Sequence, residues 1–149
     1  MPEFIKEEII TPCDTRNLAS IREMIQATAT SYFADRSTVA KVTLAVDEAV
    51  ANVMEHAYEG LERGDVQVSV TSDNEKFVII VADKGHHFDP GTIPNPDMNE
   101  HFKEGRRDGL GIFLMRKVMD EIKYTFVQNN HNELRMVKYL QVAEENKGE

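Results

Sequence analysis

The chain has little with which to staple itself. Cys13 is the one cysteine in 149 residues, so an internal disulfide is ruled out, and so is any multi-cysteine zinc site. A small apolar filler near the start of the fold is the expected role of Cys13, rather than a catalytic thiol. No apolar run approaches the roughly 20 residues that a helix needs to cross a bilayer, so no membrane span is expected. Met1-Pro2-Glu3-Phe4-Ile5-Lys6-Glu7-Glu8 is too acidic and mixed for a signal peptide, which points to a cytoplasmic protein. Positive charge is also scarce: 17 Lys and Arg stand against 26 Asp and Glu, a net charge of −9. That balance excludes a general binder of phosphate backbones, which needs a basic face, so no direct nucleic-acid contact is expected. Protein partners and Mg²⁺-neutralised nucleotides remain open. There is no internal repeat and no low-complexity segment.

What is present is an ordinary globular composition, with 41% hydrophobic and 29% charged residues. Residues 1–149 are expected to form a single domain with its own core. Phe4 to Ile10 reads as a strand broken by Thr11-Pro12. Asp14 or Thr15 is placed to cap a helix running to about Phe33. Asp35-Arg36-Ser37 interrupts that pattern, with Ser37 as the expected cap of a second helix over about Thr38 to Tyr58. In this helix Val42, Val46, Ala49, Val50, Val53 and Ala57 recur at spacings of three and four, while Glu48, Asn52 and Glu55 project away from that stripe. Gly60 is the stop signal.

Asp65 to Thr71 alternates at period two, a half-buried strand. It is followed by a Ser72-Asp73-Asn74-Glu75 turn and a more apolar strand, Phe77 to Ala82, so the two form a hairpin. Asp83 to Asp108 is irregular, with three prolines and several glycines and no sustained period. A loop of that length in a compact domain is usually functional or disordered. A third helix is expected from Gly109 to about Met119, then strands at roughly 121–128 and 133–140 joined by a turn at Asn129-Asn130-His131-Asn132. Residues 143–149 read as a flexible solvated tail. The order predicts an α/β protein: a two-layer sandwich whose mixed, mainly antiparallel sheet carries its helices on one face.

Three short boxes carry the chemistry. Glu48 and Asn52, four apart, sit one above the other on a helix. Asn offers a hard oxygen for Mg²⁺, and Glu an acceptor for a proton from an attacking hydroxyl; a solvated polar face would carry the same two residues. Asp83 closes an apolar strand, where a carboxylate can accept from an exocyclic amine and so select adenine over guanine. Gly85 just after it allows close ligand approach, although Asp-Lys-Gly is also a common turn. Gly109-Leu110-Gly111 opens a helix, where free amides and the macrodipole suit phosphate oxygens. Arg106 and Arg107 precede it and suit a γ-phosphate, or simply water. His86 and His87 are adjacent on a loop and His56 follows Asn52 by four, but no His/Cys/Asp set has the spacing of a zinc site. Each signal is weak alone; together they occur in the right order, each at the right kind of junction.

The set resembles the GHKL ATP-binding superfamily with its histidine-kinase-type ATPase fold. Within it the chain is most similar to the short anti-sigma-factor serine/threonine kinases, from Phe4 to about Val142. Glu48-Ala49-Val50-Ala51-Asn52-Val53-Met54-Glu55-His56-Ala57-Tyr58 looks like the N box. The resemblance implies a Bergerat-type fold in which Glu48 is the general base, Asn52 the Mg²⁺ ligand, and His56 lies at the nucleotide. Asp83-Lys84-Gly85-His86-His87-Phe88-Asp89-Pro90 looks like the first glycine box, which implies that Asp83 reads adenine with Gly85 and Phe88 beside it. His87 stands where many members have a second glycine. Asp108-Gly109-Leu110-Gly111-Ile112 looks like the second box, implying phosphate contacts from Gly109, Leu110, Gly111 and Ile112. Residues 90–108 match the ATP lid. Asn132-Glu133-Leu134-Arg135-Met136 stands in the place of a closing strand whose start often holds a small or polar residue near the adenine. Arg107 is the candidate for the γ-phosphate, and Arg22 matches a position where members meet protein partners.

The implied activity is ATP- and Mg²⁺-dependent phosphorylation of a Ser or Thr hydroxyl on a STAS-type anti-sigma-factor antagonist in a partner-switching cycle: the unphosphorylated antagonist draws the kinase away from a sigma factor, and phosphorylation releases the antagonist. Relatives are commonly homodimers. The alternative is a nucleotide-sensing binding module or signalling regulator of the same fold that transfers no phosphate. Neither a Walker A motif nor the signatures of eukaryotic-type kinases occur.

Overall fold

The computed structural model describes residues 5–86, 110–127 and 131–140. The elements are β1 (Lys6–Pro12), a 3₁₀ turn (Thr15–Asn17), α1 (Leu18–Tyr32), α2 (Arg36–His56), β2 (Asp65–Ser72), β3 (Lys76–Asp83), α3 (Leu110–Val118), β4 (Glu121–Val127) and β5 (His131–Tyr139). The five strands form one sheet in the order β1-β2-β3-β5-β4.

Every pairing in that sheet is antiparallel, so the expected mixed character is absent. The chain crosses over from β3 through α3 to β4, and these two strands run the same way. β5 inserts between them, so no parallel ladder forms. The strand expected to end before Thr11-Pro12 continues through Pro12, which pairs with Asp65. β1 is an edge strand, where a proline's missing donor need not interrupt a ladder.

Asp35, not Ser37, caps α2: its carboxylate accepts from Ser37 N–H at 3.1 Å and from the Thr38 hydroxyl at 2.8 Å. The helix ends at His56, and Gly60 sits beyond it at φ 76°, a conformation suited to glycine, where the chain turns away. Asp73 organises the β2–β3 turn by accepting from Glu75 and Lys76 N–H. At the far end of α3, Lys138 Nζ donates to Val118 O at 2.9 Å, satisfying a terminal carbonyl.

The core lies between the sheet and the helices. Ile21, Ile25 and Ala29 of α1, Val42, Val46 and Val50 of α2 and Met115 of α3 meet Val66, Val68, Val70, Phe77, Ile79 and Met136 in one cluster. Tyr32, Phe33 and Phe77 pack with ring centroids 4.9–5.5 Å apart, and the Tyr32 hydroxyl donates to Asp73 O. Cys13 is part of this core, as its sequence position suggested, and burial pushes its thiol pKa up to about 11.

Candidate active site

The site begins where an apolar column of the sheet turns polar. Strand alternation sends Phe77, Ile79 and Val81 of β3 toward the helices, and Asp83 follows on the same face. Across the ladder Ile79 faces Met136, Val81 faces Leu134, and Asp83 faces Asn132. The last rung is therefore a carboxylate opposite an amide, and both are buried, Asp83 at 5% exposure and Asn132 at 0%.

Buried polar groups must find partners, and this pair makes a compact network. Asn132 Nδ2 donates to Asp83 Oδ1 at 2.9 Å and lies 3.0 Å from Gly85 O and 3.2 Å from His86 O. Asp83 Oδ1 also accepts from Gly85 N–H at 2.8 Å. Two acceptors are left over. Among the described residues no donor reaches Asp83 Oδ2, and the buried Asn132 Oδ1 has none either.

The turn after Asp83 is clamped onto the end of α2. His86 N–H donates to Ala57 O at 2.6 Å, and the His86 ring is held against Glu59 O. A Cβ at Gly85 would overlap the Ala57 carbonyl, so this approach needs glycine. The Tyr58 hydroxyl accepts from Lys84 N–H at 2.9 Å and donates to Asp65 O at 2.7 Å. Burial raises the pKa of that hydroxyl, which keeps it neutral and able to do both.

From this clamp α2 runs back along the site. Glu48, Asn52 and His56 recur every four residues on one flank, a step of about 6 Å along the axis each time. Glu48 and Asn52 are half-buried, whereas the His56 side chain is 48% exposed, with Nε2 3.7 Å from Glu55 and Nδ1 3.9 Å from Glu59. The opposite flank carries Thr43 and Asp47 toward α1. There Arg22 holds Asp47 through Nε–Oδ1 at 2.8 Å and Nη2–Oδ2 at 3.3 Å. Arg22 thus opens onto a groove of about 600 Å³ between α1 and α2, lined also by Phe33, Val39 and Leu44. The residues expected at nucleotide and those expected at a partner fall on different sides of α2.

Leu110, Gly111 and Ile112 form the first turn of α3, which packs on α2, so backbone amides without a partner inside the helix begin where the second glycine box was expected. Their side chains lie outside the description, as do Phe88, Arg107 and Gly109, the lid at 90–108 and the tail at 143–149. Among the described residues no three His, Cys, Asp or Glu gather to hold a metal. The donor set suits a cation bound mainly through a ligand's phosphates, with Asn52 as a single protein oxygen, which is the habit of Mg²⁺. The two unused acceptors at Asp83 and Asn132 suit an amine-bearing base. Asn132 was legible as the end of a turn and the start of a closing strand near the adenine, whereas Ala57 and Tyr58 stood in the N box, and Ala57 in the apolar stripe, with no role in the site of their own. Their roles depend on strand register and on where α2 ends.

A model of the histidine kinase-like ATPase domain matches residues 11–138. The chain belongs to that family. Among its relatives is the serine-protein kinase RsbW of Staphylococcus aureus (strain MSSA476), 29% identical over 138 residues that cover 89% of this chain and 86% of the relative. RsbW of Bacillus velezensis is 29% identical over 141 residues, covering 89% and 84%. Among solved structures, a chain of the SiaB–SiaC complex from Pseudomonas aeruginosa shares the fold at a TM-score of 0.66, with 15% identity over 92% of this chain and 90% of that one. The superfamily read from the three boxes is the one found, and its serine-kinase branch is where these relatives stand. Membership in an ATPase family implies ATP as the nucleotide. No helix among the described residues is long and apolar enough to cross a membrane.

Proposed function

We propose that this histidine kinase-like ATPase domain is a protein serine/threonine kinase acting as an anti-sigma factor. The observation that carries the reading is one helix serving both ends of a substrate. The C-terminal end of α2 clamps the turn bearing Asp83 and Gly85, and its flank presents Asn52 and Glu48 at successive turns.

In this reading Asp83 Oδ2 accepts from the adenine amine, the first turn of α3 offers amides to phosphate oxygens, and Arg107 meets the γ-phosphate. Mg²⁺, held by Asn52 and the phosphates, would supply charge neutralisation. Glu48 takes the proton from the substrate's Ser or Thr hydroxyl. The hydroxyl oxygen forms its bond to the γ-phosphorus while the bond to the β–γ bridging oxygen breaks, and ADP leaves with that electron pair. Phe88, Gly109, Leu110, Gly111, Ile112 and His56 complete the nucleotide contacts in the same proposal, and residues 90–108 cover them. The protein substrate is a STAS-type antagonist and the displaced partner a sigma factor, met near Arg22. A homodimer in the cytoplasm is part of the reading; what the names of the RsbW relatives support is its serine-kinase activity.

Incubation with γ-labelled ATP, Mg²⁺ and the host's STAS-type proteins tests it. Label is expected on one Ser or Thr, and Glu48→Gln should cut transfer about 100-fold or more while leaving ATP affinity in place, since a general base contributes roughly 10²–10⁴. ATP binding with no transfer to any STAS-type protein would replace the kinase with a nucleotide-gated binding module.

A further inference from the structure

The groove between α1 and α2 holds a polar atom that the nucleotide reading does not use. Arg36, Val39, Thr43, Leu44 and Asp47 recur at helical spacing along one face of α2 and line this space of about 600 Å³. That volume falls within the roughly 300–1,000 Å³ of small-molecule sites. Thr43 Oγ1 is buried and has no hydrogen-bond partner among the described residues. Helical hydroxyls usually satisfy themselves on the preceding turn, as Thr28, Thr30 and Ser31 of α1 do on the carbonyls of Met24, Gln26 and Ala27. Thr43 does not, and a buried hydroxyl left unpaired is destabilising until a ligand supplies the partner.

The two ends of the groove differ in charge. At the start of α2, Arg36 is exposed and has no carboxylate partner among the described residues. At the other end the Arg22 cation is already balanced by Asp47. Phe33, Val39 and Leu44 supply the apolar lining, and Leu44 is left 49% exposed. We infer that this groove binds a free amphipathic monocarboxylate whose apolar body carries a second, uncharged polar group. Arg36 takes the carboxylate, the apolar body covers Val39 and Leu44, and the polar group meets the Thr43 hydroxyl. One anion is enough, because a second would meet an ion pair that is already neutral. Arg36 and Thr43 stand seven residues apart, about 10 Å along the helix axis, which sets the separation of the ligand's two polar ends. The site faces away from Glu48, Asn52 and His56, so it does not depend on the kinase reading.

The test is calorimetric titration of the full chain, without nucleotide, with ω-hydroxydecanoate, decanoate and decanol, alongside thermal melts. The hydroxy acid should bind once per chain and about fivefold more tightly than decanoate, the scale of one net hydrogen bond. Decanol should bind about tenfold more weakly than decanoate, because it lacks the charge that Arg36 recognises. Thr43→Val should erase the difference between the two acids. It should also raise the melting temperature of the ligand-free protein, since it removes an unpaired buried hydroxyl. Arg36→Gln should weaken both acids about tenfold and leave decanol unchanged. No saturable binding of either acid would overturn the ligand and return the groove to a protein partner. Binding that ignores both variants would overturn the site as adsorption to apolar surface. A melting temperature lowered by Thr43→Val would overturn it too, by showing that the protein itself satisfies the hydroxyl.

Discussion

At the level of single residues, the site depends on contacts that tolerate almost no added atoms. Gly85 is the sharpest case. Its Cα faces the Ala57 carbonyl so closely that a methyl group must push the β3 turn off the end of α2. Gly85→Ala is expected to cost about 1–3 kcal/mol, the usual penalty for overpacking a closed site. It should also weaken ATP binding, since the turn carries Asp83. Denaturant melts and a nucleotide titration on one sample check both. Full stability with full affinity would show that the clamp yields at no cost. Tyr58 works in the same place by a different means, tying Lys84 N–H to the start of β2 through one neutral hydroxyl.

Among the elements, α2 bears most of the design. Its apolar stripe enters the core, one flank carries Glu48, Asn52 and His56, and the other carries Asp47 to Arg22. A helix with three assignments must keep its rotation and its ends fixed, and the N-terminal end is fixed by Asp35. Asp35→Ala should cost about 1 kcal/mol, as loss of a helix N-cap usually does. That corresponds to a melting temperature lower by about 2–4 °C in a chain of this size. Ser37→Ala should leave the melt close to wild type, because Ser37 contributes its backbone N–H and not its hydroxyl to the cap. The opposite ranking of the two variants would return the cap to Ser37. At the other end of the crossover, Lys138 and Asp120 join α3 to β5, so the helix that starts at the expected second glycine box also finishes against the sheet.

For the whole molecule, the ionisable groups define a window of stability. Hydrogen bonds hold the carboxyls of Asp14, Asp35 and Asp73 below their ordinary 3.8: the donors are Arg16 N–H, then the Thr38 hydroxyl with Ser37 N–H, then Glu75 and Lys76 N–H. Groups lowered by folding contribute stability above 3.8 that is lost as pH falls through their folded values. On the alkaline side burial raises Cys13 from 9.0 to about 11 and Tyr32 from 10.0 to about 12. Their contribution is complete below 9.0 and declines as the pH rises toward 12, because the unfolded chain loses those protons first. Urea midpoints measured from pH 2 to 11 should form a plateau between about 4 and 9 and fall on both sides. A midpoint still rising above pH 9 would contradict the burial of both side chains.

Much of this is legible in the sequence. Local periodicity determined the strands and helices, because the 3.6-residue stripe of Val42 to Ala57 and the two-residue alternation of Val66 to Val70 each require one backbone geometry. The boxes that carry the family resemblance are also local, since Glu48 with Asn52, Asp83 with Gly85, and Gly109 with Gly111 each stand within a few residues of one another. What the sequence alone did not determine is anything that depends on long-range register. That β5 enters between β3 and β4, that Asn132 therefore faces Asp83 from 49 positions further along the sequence, and that Ala57 meets Gly85 are consequences of how the sheet closes and where α2 ends. The same holds for the separation of Arg22 from Glu48, Asn52 and His56 by the width of α2. Side-chain pairing between distant segments leaves no local pattern in the chain, so it was decided by the packing of the sheet against its helices.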